Sequence, residues 1–178
     1  MRIISGKYKS KHIQAPKKLP VRPTTGMAKE ALFNILNNLF YFNEISVLDL
    51  FAGTGNISFE FVSRGTKNIT SVDSFFGCIK FINKIAQDLN EDIHTVKSDV
   101  FKFLGTSKTS YDIIFADPPY HFETTSFEKI ADLVFQNNII NKDGLLIIEH
   151  SKRTNLSNHP KFSYSKKYGG NMFSFFEN

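Results

Sequence analysis

Tryptophan is absent from these 178 residues, and cysteine occurs once. Cys78 therefore has no internal disulfide partner, and its place in a helical pattern suits a small buried hydrophobe in a reducing compartment. With one thiol, and with His12, His94, His121, His150 and His159 at no ligand spacing, no metal site is expected. No apolar run approaches the roughly 18 residues that span a bilayer, and Met1 to Gly6 lacks the apolar stretch of a signal peptide. The reading is a cytoplasmic, soluble, monomeric protein with no membrane partner, of a length suited to one domain.

Acidic residues are missing from one part of the chain. Residues 1–29 carry eight Lys or Arg and no acid, residues 30–150 carry nine against sixteen acids, and residues 151–178 carry five against one, within a net charge of +5. Basic ends around an acidic middle suit a polyanion held by clustered cations, with a solvated basic arm as the plainer alternative. The candidate contacts for such a polyanion are the cations of the basic arm, Arg2, Lys7, Lys9 and Lys11. The 19 phenylalanines serve mainly to fill a core.

Residues 1–15 alternate loosely, as in a small hairpin with one face solvated. After Pro16, Pro20 and Pro23, Thr24 or Thr25 can cap a helix reaching about Leu39, with Ala28, Ala31, Leu32, Ile35, Leu36 and Leu39 at helical spacing. Residues 1–43 thus form a basic extension, and residues 44–178 a core. In the core, apolar runs at 47–51, 69–73, 93–96, 111–117 and 145–149 alternate with helical stretches. That pattern gives an open α/β fold with a parallel sheet covered on both faces. Residues 162–168 and 172–176, joined by Gly169-Gly170-Asn171, read as a closing hairpin.

Asp49-Leu50-Phe51-Ala52-Gly53-Thr54-Gly55-Asn56 ends the first core strand and opens a helix. Its glycines let a ligand approach the backbone beside free helical N–H groups. Asp49, Phe51, Gly53 and Gly55 are its candidate binding residues. Ser58 replaces the third glycine of the dinucleotide fingerprint, which disfavours a pyrophosphate cofactor and hence a dehydrogenase. Asp73 closes the next strand where a carboxylate can accept both ribose hydroxyls of an adenosine-containing cofactor; the alternative is a helix cap. Asp99, with Val100 beside it, ends the third strand and can accept from an adenine amino group, with capping nearly as good a reading.

The element that selects a chemistry is Asp117-Pro118-Pro119-Tyr120, at the carboxyl end of the strand Tyr111 to Ala116. In a doubly wound sheet this strand lies beside the first, so tetrapeptide and loop meet at the crevice. The lone pair of a base amine is delocalised into its ring. The Asp117 carboxylate and Pro118 carbonyl can each accept one amine N–H and orient that lone pair toward a methyl donor. Pro118 and Pro119 stiffen the backbone, and Tyr120 offers a face on which an extruded base stacks.

These residues resemble the class I S-adenosylmethionine-dependent methyltransferases, and more closely the RsmD family, bacterial enzymes that methylate N2 of a guanine in small-subunit (16S) ribosomal RNA. The likeness rests on Met1 to Tyr8, Arg22-Pro23-Thr24-Thr25, Lys29 to Leu36, Leu48 to Gly55, Asp117 to Tyr120, and Gly144 through His150. It implies a Rossmann-like seven-stranded sheet with the last strand antiparallel. S-adenosyl-L-methionine would be held by the Gly53 loop, Asp73 and Asp99, with Thr25 in a cofactor-proximal motif at residues 22–25. The guanine would lie at residues 117–120. Ribosomal RNA, free or in a small-subunit assembly intermediate, is the implied partner, and the resemblance implies that Arg2, Lys7, Lys9 and Lys11 of the basic arm and Arg22 engage that RNA or close over the site. Lys29 stands where Arg is frequent in the family. The rival readings are an adenine-N6 DNA methyltransferase, for whose duplex-reading domain there is little room; a protein glutamine methyltransferase, which normally carries Asn where Asp117 stands; and a non-catalytic S-adenosylmethionine- or RNA-binding protein.

Overall fold

The structure, a computed structural model, describes residues 1–16, 19, 26–119 and 121–178. In chain order the described residues form α1 (Gly26–Asn37), β1 (Ser46–Leu50), α2 (Asn56–Ser63), β2 (Asn68–Asp73), α3 (Phe76–Leu89), β3 (His94–Lys97), α4 (Val100–Thr106), β4 (Tyr111–Ala116), α5 (Thr124–Gln136), β5 (Ile140–Ser151), β6 (Phe162–Tyr168) and β7 (Asn171–Phe176). The seven strands make one sheet in the order β3-β2-β1-β4-β5-β7-β6. β1 to β5 run parallel, and β7 inserts antiparallel between β5 and β6. This is the Rossmann-like sheet expected from the sequence.

Alternation along the strands divides the core into two layers. Val47, Ile113, Phe115, Leu145, Ile147, Phe173 and Phe175 pack with residues of α1, α2 and α3. Leu48, Leu50, Ile114, Ala116, Leu146 and Ile148 pack with residues of α4 and α5. Both faces of β1, β4 and β5 are thus covered, which is why these strands read as unbroken apolar runs. Strand order reverses between β1 and β4, and the chain leaves their carboxyl ends through the glycine loop and through residues 117–119. Ligands of open α/β sheets bind in such a crevice.

Three local readings change. The N-terminal segment closes through a single antiparallel bridge, Arg2 with His12, rather than a ladder. Gly6 and Ser10 adopt positive φ, which turns the chain before strands can extend. Nor does the segment stand off the core, since Ile3 and Ile13 are buried in the layer beneath α1. The helix α1 stops at Asn37, so Leu39 is 56% exposed, while Phe33 and Lys29 are buried.

Lys29, one of the eight cations of residues 1–29, is 2% exposed. Its Nζ donates to Arg2 O and Asn56 Oδ1, both at 2.9 Å, and lies 3.1 Å from Glu60 Oε2. Desolvation lowers its pKa against the pull of Glu60. Glu60 is fully buried in α2 and also accepts from the Ile4 and Ser5 backbone N–H groups and from Arg64 Nε. Removing one partner of a buried pair leaves an uncompensated charge. Lys29→Met is therefore expected to lose about 3 kcal/mol in urea unfolding, with faster hydrogen exchange at Ile4 and Ser5. Unchanged exchange there would show that Glu60 holds the segment without Lys29.

Candidate functional site

The loop after β1 carries three residues with positive φ within five positions: Phe51 at 58°, Gly53 at 56° and Gly55 at 72°. A Cβ on Gly55 would fall 2.9 Å from the Phe59 ring and 3.0 Å from Ile82, so both its conformation and its packing require glycine. Phe51 adopts the same region despite its side chain, and its ring meets Phe122 edge-on at 5.8 Å. Phe122 in turn stacks with Phe101 at 6.0 Å and meets Phe127 at 6.2 Å. This aromatic floor joins the loop to α4 and to the segment after the tetrapeptide.

Asp49 is 2% exposed. Its Oδ2 accepts from both the Ser58 N–H, at 3.1 Å, and the Ser58 hydroxyl, and Ser58 Oγ lies 2.7 Å from Ser71 Oγ. The serine that replaces a fingerprint glycine thus ties α2 to β1 and β2 beneath the loop. Burial pushes the Asp49 carboxyl up to about 7, against hydrogen bonds from Ser58 that lower it.

Asp73 lies at the end of β2, facing the loop. Its Oδ2 accepts from Gly53 N–H and its Oδ1 from Phe75 N–H, both at 2.8 Å. The carboxylate is therefore oriented by backbone on both sides, and each oxygen keeps a second lone pair for a ligand hydroxyl. Asp99 is the N-cap of α4, with Oδ1 accepting from Lys102 N–H at 3.0 Å, while Val100 is buried. The carboxyl groups of Asp73 and Asp99 stand at the ends of the paired strands β2 and β3.

The tetrapeptide meets the loop. Leu50 and Ala116 are register partners, and Asp117 N–H donates to Leu50 O at 3.4 Å. The Asp117 side chain is half-buried, Pro118 is buried and Pro119 is exposed. Phe122 N–H donates to Pro119 O, which turns the chain back toward the aromatic floor. Tyr120, Arg22 and Thr25 lie outside the described residues.

Of the basic residues, Arg2, Lys9 and Lys11 are exposed. Lys7 is paired with Glu91 at 2.7 Å, which raises its pKa, so it fastens the N-terminal segment to the chain after α3. The segment also touches the loop, with Thr54 Oγ1 3.7 Å from Met1 Sδ. Sequence reasoning missed Phe75 and Phe76, which are 45% and 60% exposed two and three residues after Asp73 and offer aromatic surface beside that carboxylate. Their adjacency to a strand-ending Asp was the available signal.

Residues 1–177 match the family described as Conserved hypothetical protein 95. Ribosomal RNA small subunit methyltransferase D of Buchnera aphidicola subsp. Baizongia pistaciae is 34% identical over 87% of this chain and 78% of that one. The protein of that name from Haemophilus influenzae is 29% identical over 85% and 79%. Among solved structures, the Escherichia coli yhhF protein superposes with a TM-score of 0.87 at 26% identity, covering 100% of this chain and 97% of that one.

The Asp49 carboxyl gives a pH signature. An unfolded aspartate ionises near about 3.9, whereas the folded one ionises at about 7. Between these values the folded chain keeps a proton that the unfolded chain has lost, so this group's contribution to stability falls as pH rises through the window. Asp49→Asn should therefore gain stability relative to the unaltered protein between about pH 5 and about pH 8. Parallel urea midpoints at the two pH values would count against the raised pKa.

Proposed function

The chain belongs to the Conserved hypothetical protein 95 family, the RsmD methyltransferases, and on that premise we propose that it methylates the exocyclic N2 amine of a guanine in small-subunit (16S) ribosomal RNA. The methyl donor is S-adenosyl-L-methionine, with S-adenosyl-L-homocysteine as product. Its sulfonium supplies an already activated methyl group. The residues fit such a donor: a loop turned through positive φ at Phe51, Gly53 and Gly55 at the carboxyl end of β1, and a backbone-oriented carboxylate at Asp73 with aromatic surface beside it.

The observation that carries the reading is the junction of Asp117 with Leu50, which sets the amine acceptors against the cofactor loop. Asp73 takes the ribose hydroxyls, Asp99 and Val100 take the adenine edge, and the backbone from Asp49 through Phe51 to Gly55, with Thr25, surrounds the remainder. Asp117 and the Pro118 carbonyl accept the two amine N–H groups, so the nitrogen lone pair is aimed at the methyl carbon. With the donor bound, its sulfonium would supply the methyl group to the amine that Asp117 and Pro118 hold, and the methylated nitrogen would release one proton to solvent. Pro119 keeps the turn rigid, and Tyr120 stacks on the base.

Arg2, Lys7, Lys9, Lys11 and Arg22 provide the positive field for RNA, free or in a small-subunit assembly intermediate. The protein acts as a cytoplasmic monomer. Guanine follows from kinship, because an adenine amine would satisfy the same acceptors.

Asp117→Ala should fold and bind S-adenosylmethionine, while methyl transfer to ribosomal RNA falls about a hundredfold or more, as expected when a reacting group is misplaced. Turnover near that of the unaltered protein would remove the acceptor role. Mapping the labelled nucleotide separates guanine N2 from an adenine, and cofactor binding with no label on RNA would indicate a non-catalytic protein.

A further inference from the structure

The N-terminal segment, α1 and α2 line an open cleft of about 650 Å³. Its volume falls in the roughly 300–1,000 Å³ range of small-molecule clefts. Arg2, Lys9 and Arg64 supply positive charge to its wall, and Asn34 and Asn56 supply amides, with Glu30 as an acid on the rim. Lys29 also reaches the wall while 2% exposed.

The wall is preorganised. Asn56, Glu60 and Arg64 are spaced four apart and share one face of α2. Lys29 Nζ bonds Asn56 Oδ1 and Arg2 O, and Glu60 takes the Ile4 and Ser5 N–H groups. The Arg64 guanidinium lies over the Phe33 ring at 4.7 Å and spends Nε on Glu60. Its remaining N–H groups are donors in a fixed fork, suited to a phosphate. Glu30 and Asn34, one turn apart on α1, are exposed toward the same space and can hydrogen-bond a base edge.

The geometry points to a binding site for a nucleotide of single-stranded RNA in this cleft, with its phosphates on Arg2, Lys9 and Arg64 and its base against Glu30 and Asn34. The inference rests on RNA being the substrate, and it separates a shaped site from the general positive field of the chain ends. Asn56 lies in both the cleft and the end of the cofactor loop, so a strand held here runs beside the methyl-transfer crevice.

The test measures binding of a short fluorescein-labelled single-stranded RNA across salt concentrations, without turnover. Arg2→Gln with Lys9→Gln should weaken binding about tenfold and reduce the log–log salt slope by about 1.4, near 0.7 for each contact to a single strand. Asn34→Trp, which fills the cleft without changing charge, should weaken binding with the slope little altered. Lys108→Gln with Lys142→Gln removes the same charge where β4 and β5 begin and should leave affinity within about twofold. All variants should bind S-adenosylhomocysteine as the unaltered protein does. If the unaltered protein binds RNA and Asn34→Trp and the Arg2/Lys9 pair bind it equally well, the cleft assignment is wrong and the substrate reading stands. If the unaltered protein binds no RNA, both fall.

Discussion

A fully buried carboxylate in α2 organises the molecule on the side of the sheet where the loop, the N-terminal segment and α1 meet. Glu60 receives Lys29, Arg64 and two backbone N–H groups of the N-terminal segment. A charge held this far from water is tolerable only when its oxygens are fully engaged. That requirement draws in the segment and α1, neither of which the sheet alone would place. One turn away, Asn56 shares the Lys29 ammonium, and one turn the other way, Arg64 lies on Phe33. Gly6 completes the docking, since a Cβ there would fall 1.8 Å from Ser63 O.

The same helix begins where the loop proposed to take the methyl donor ends. Gly55 is its N-cap, Ser58 anchors it to Asp49 and Ser71, and Glu60 anchors it to the N-terminal segment. Eight residues of α2 thus connect the surface proposed to take RNA with the loop proposed to take the methyl donor. A rigid link of this kind favours positioning over gating, because the segment cannot shift without breaking bonds to a buried charge.

The sheet was legible because its physics is local and repetitive. Runs such as Ile113-Ile114-Phe115-Ala116, apolar on both faces, suit only a strand covered twice, and the switch between β1 and β4 follows from the handedness of crossovers. The closing hairpin was legible from Gly169-Gly170-Asn171. Lys29 was not, because composition places a lysine at the surface and only the fold supplies Glu60, thirty-one residues later, to justify its burial. The N-terminal segment misled for a related reason. Its loose alternation fits a ladder, but positive φ at Gly6 and Ser10 and docking onto Ser63 leave a single bridge. Ser58 carried a signal that pointed only to what it lacked, while its bond to Asp49 depends on the parity of β1.

At Asp73 and Asp99 the sequence posed capping and ligand binding as alternatives; only Asp99 caps a helix, whereas α3 is N-capped by Phe75 and Asp73 holds the loop instead, and neither role exhausts the carboxylate. Asp99 caps α4 through Oδ1, and Asp73 takes one N–H on each oxygen. A carboxylate has about four lone-pair sites, so one or two backbone bonds leave acceptor capacity for a ribose or an adenine amine. Those bonds also set the carboxylate's orientation before any ligand arrives, so less ordering is left for binding to supply. For Asp73 one orienting donor is Gly53 itself, so the loop and the proposed ribose acceptor hold one another in place. The same logic reaches Asp117, whose backbone is bound to Leu50 at the start of that loop: the proposed donor site and the proposed amine acceptor are built on adjacent strand ends and share one frame.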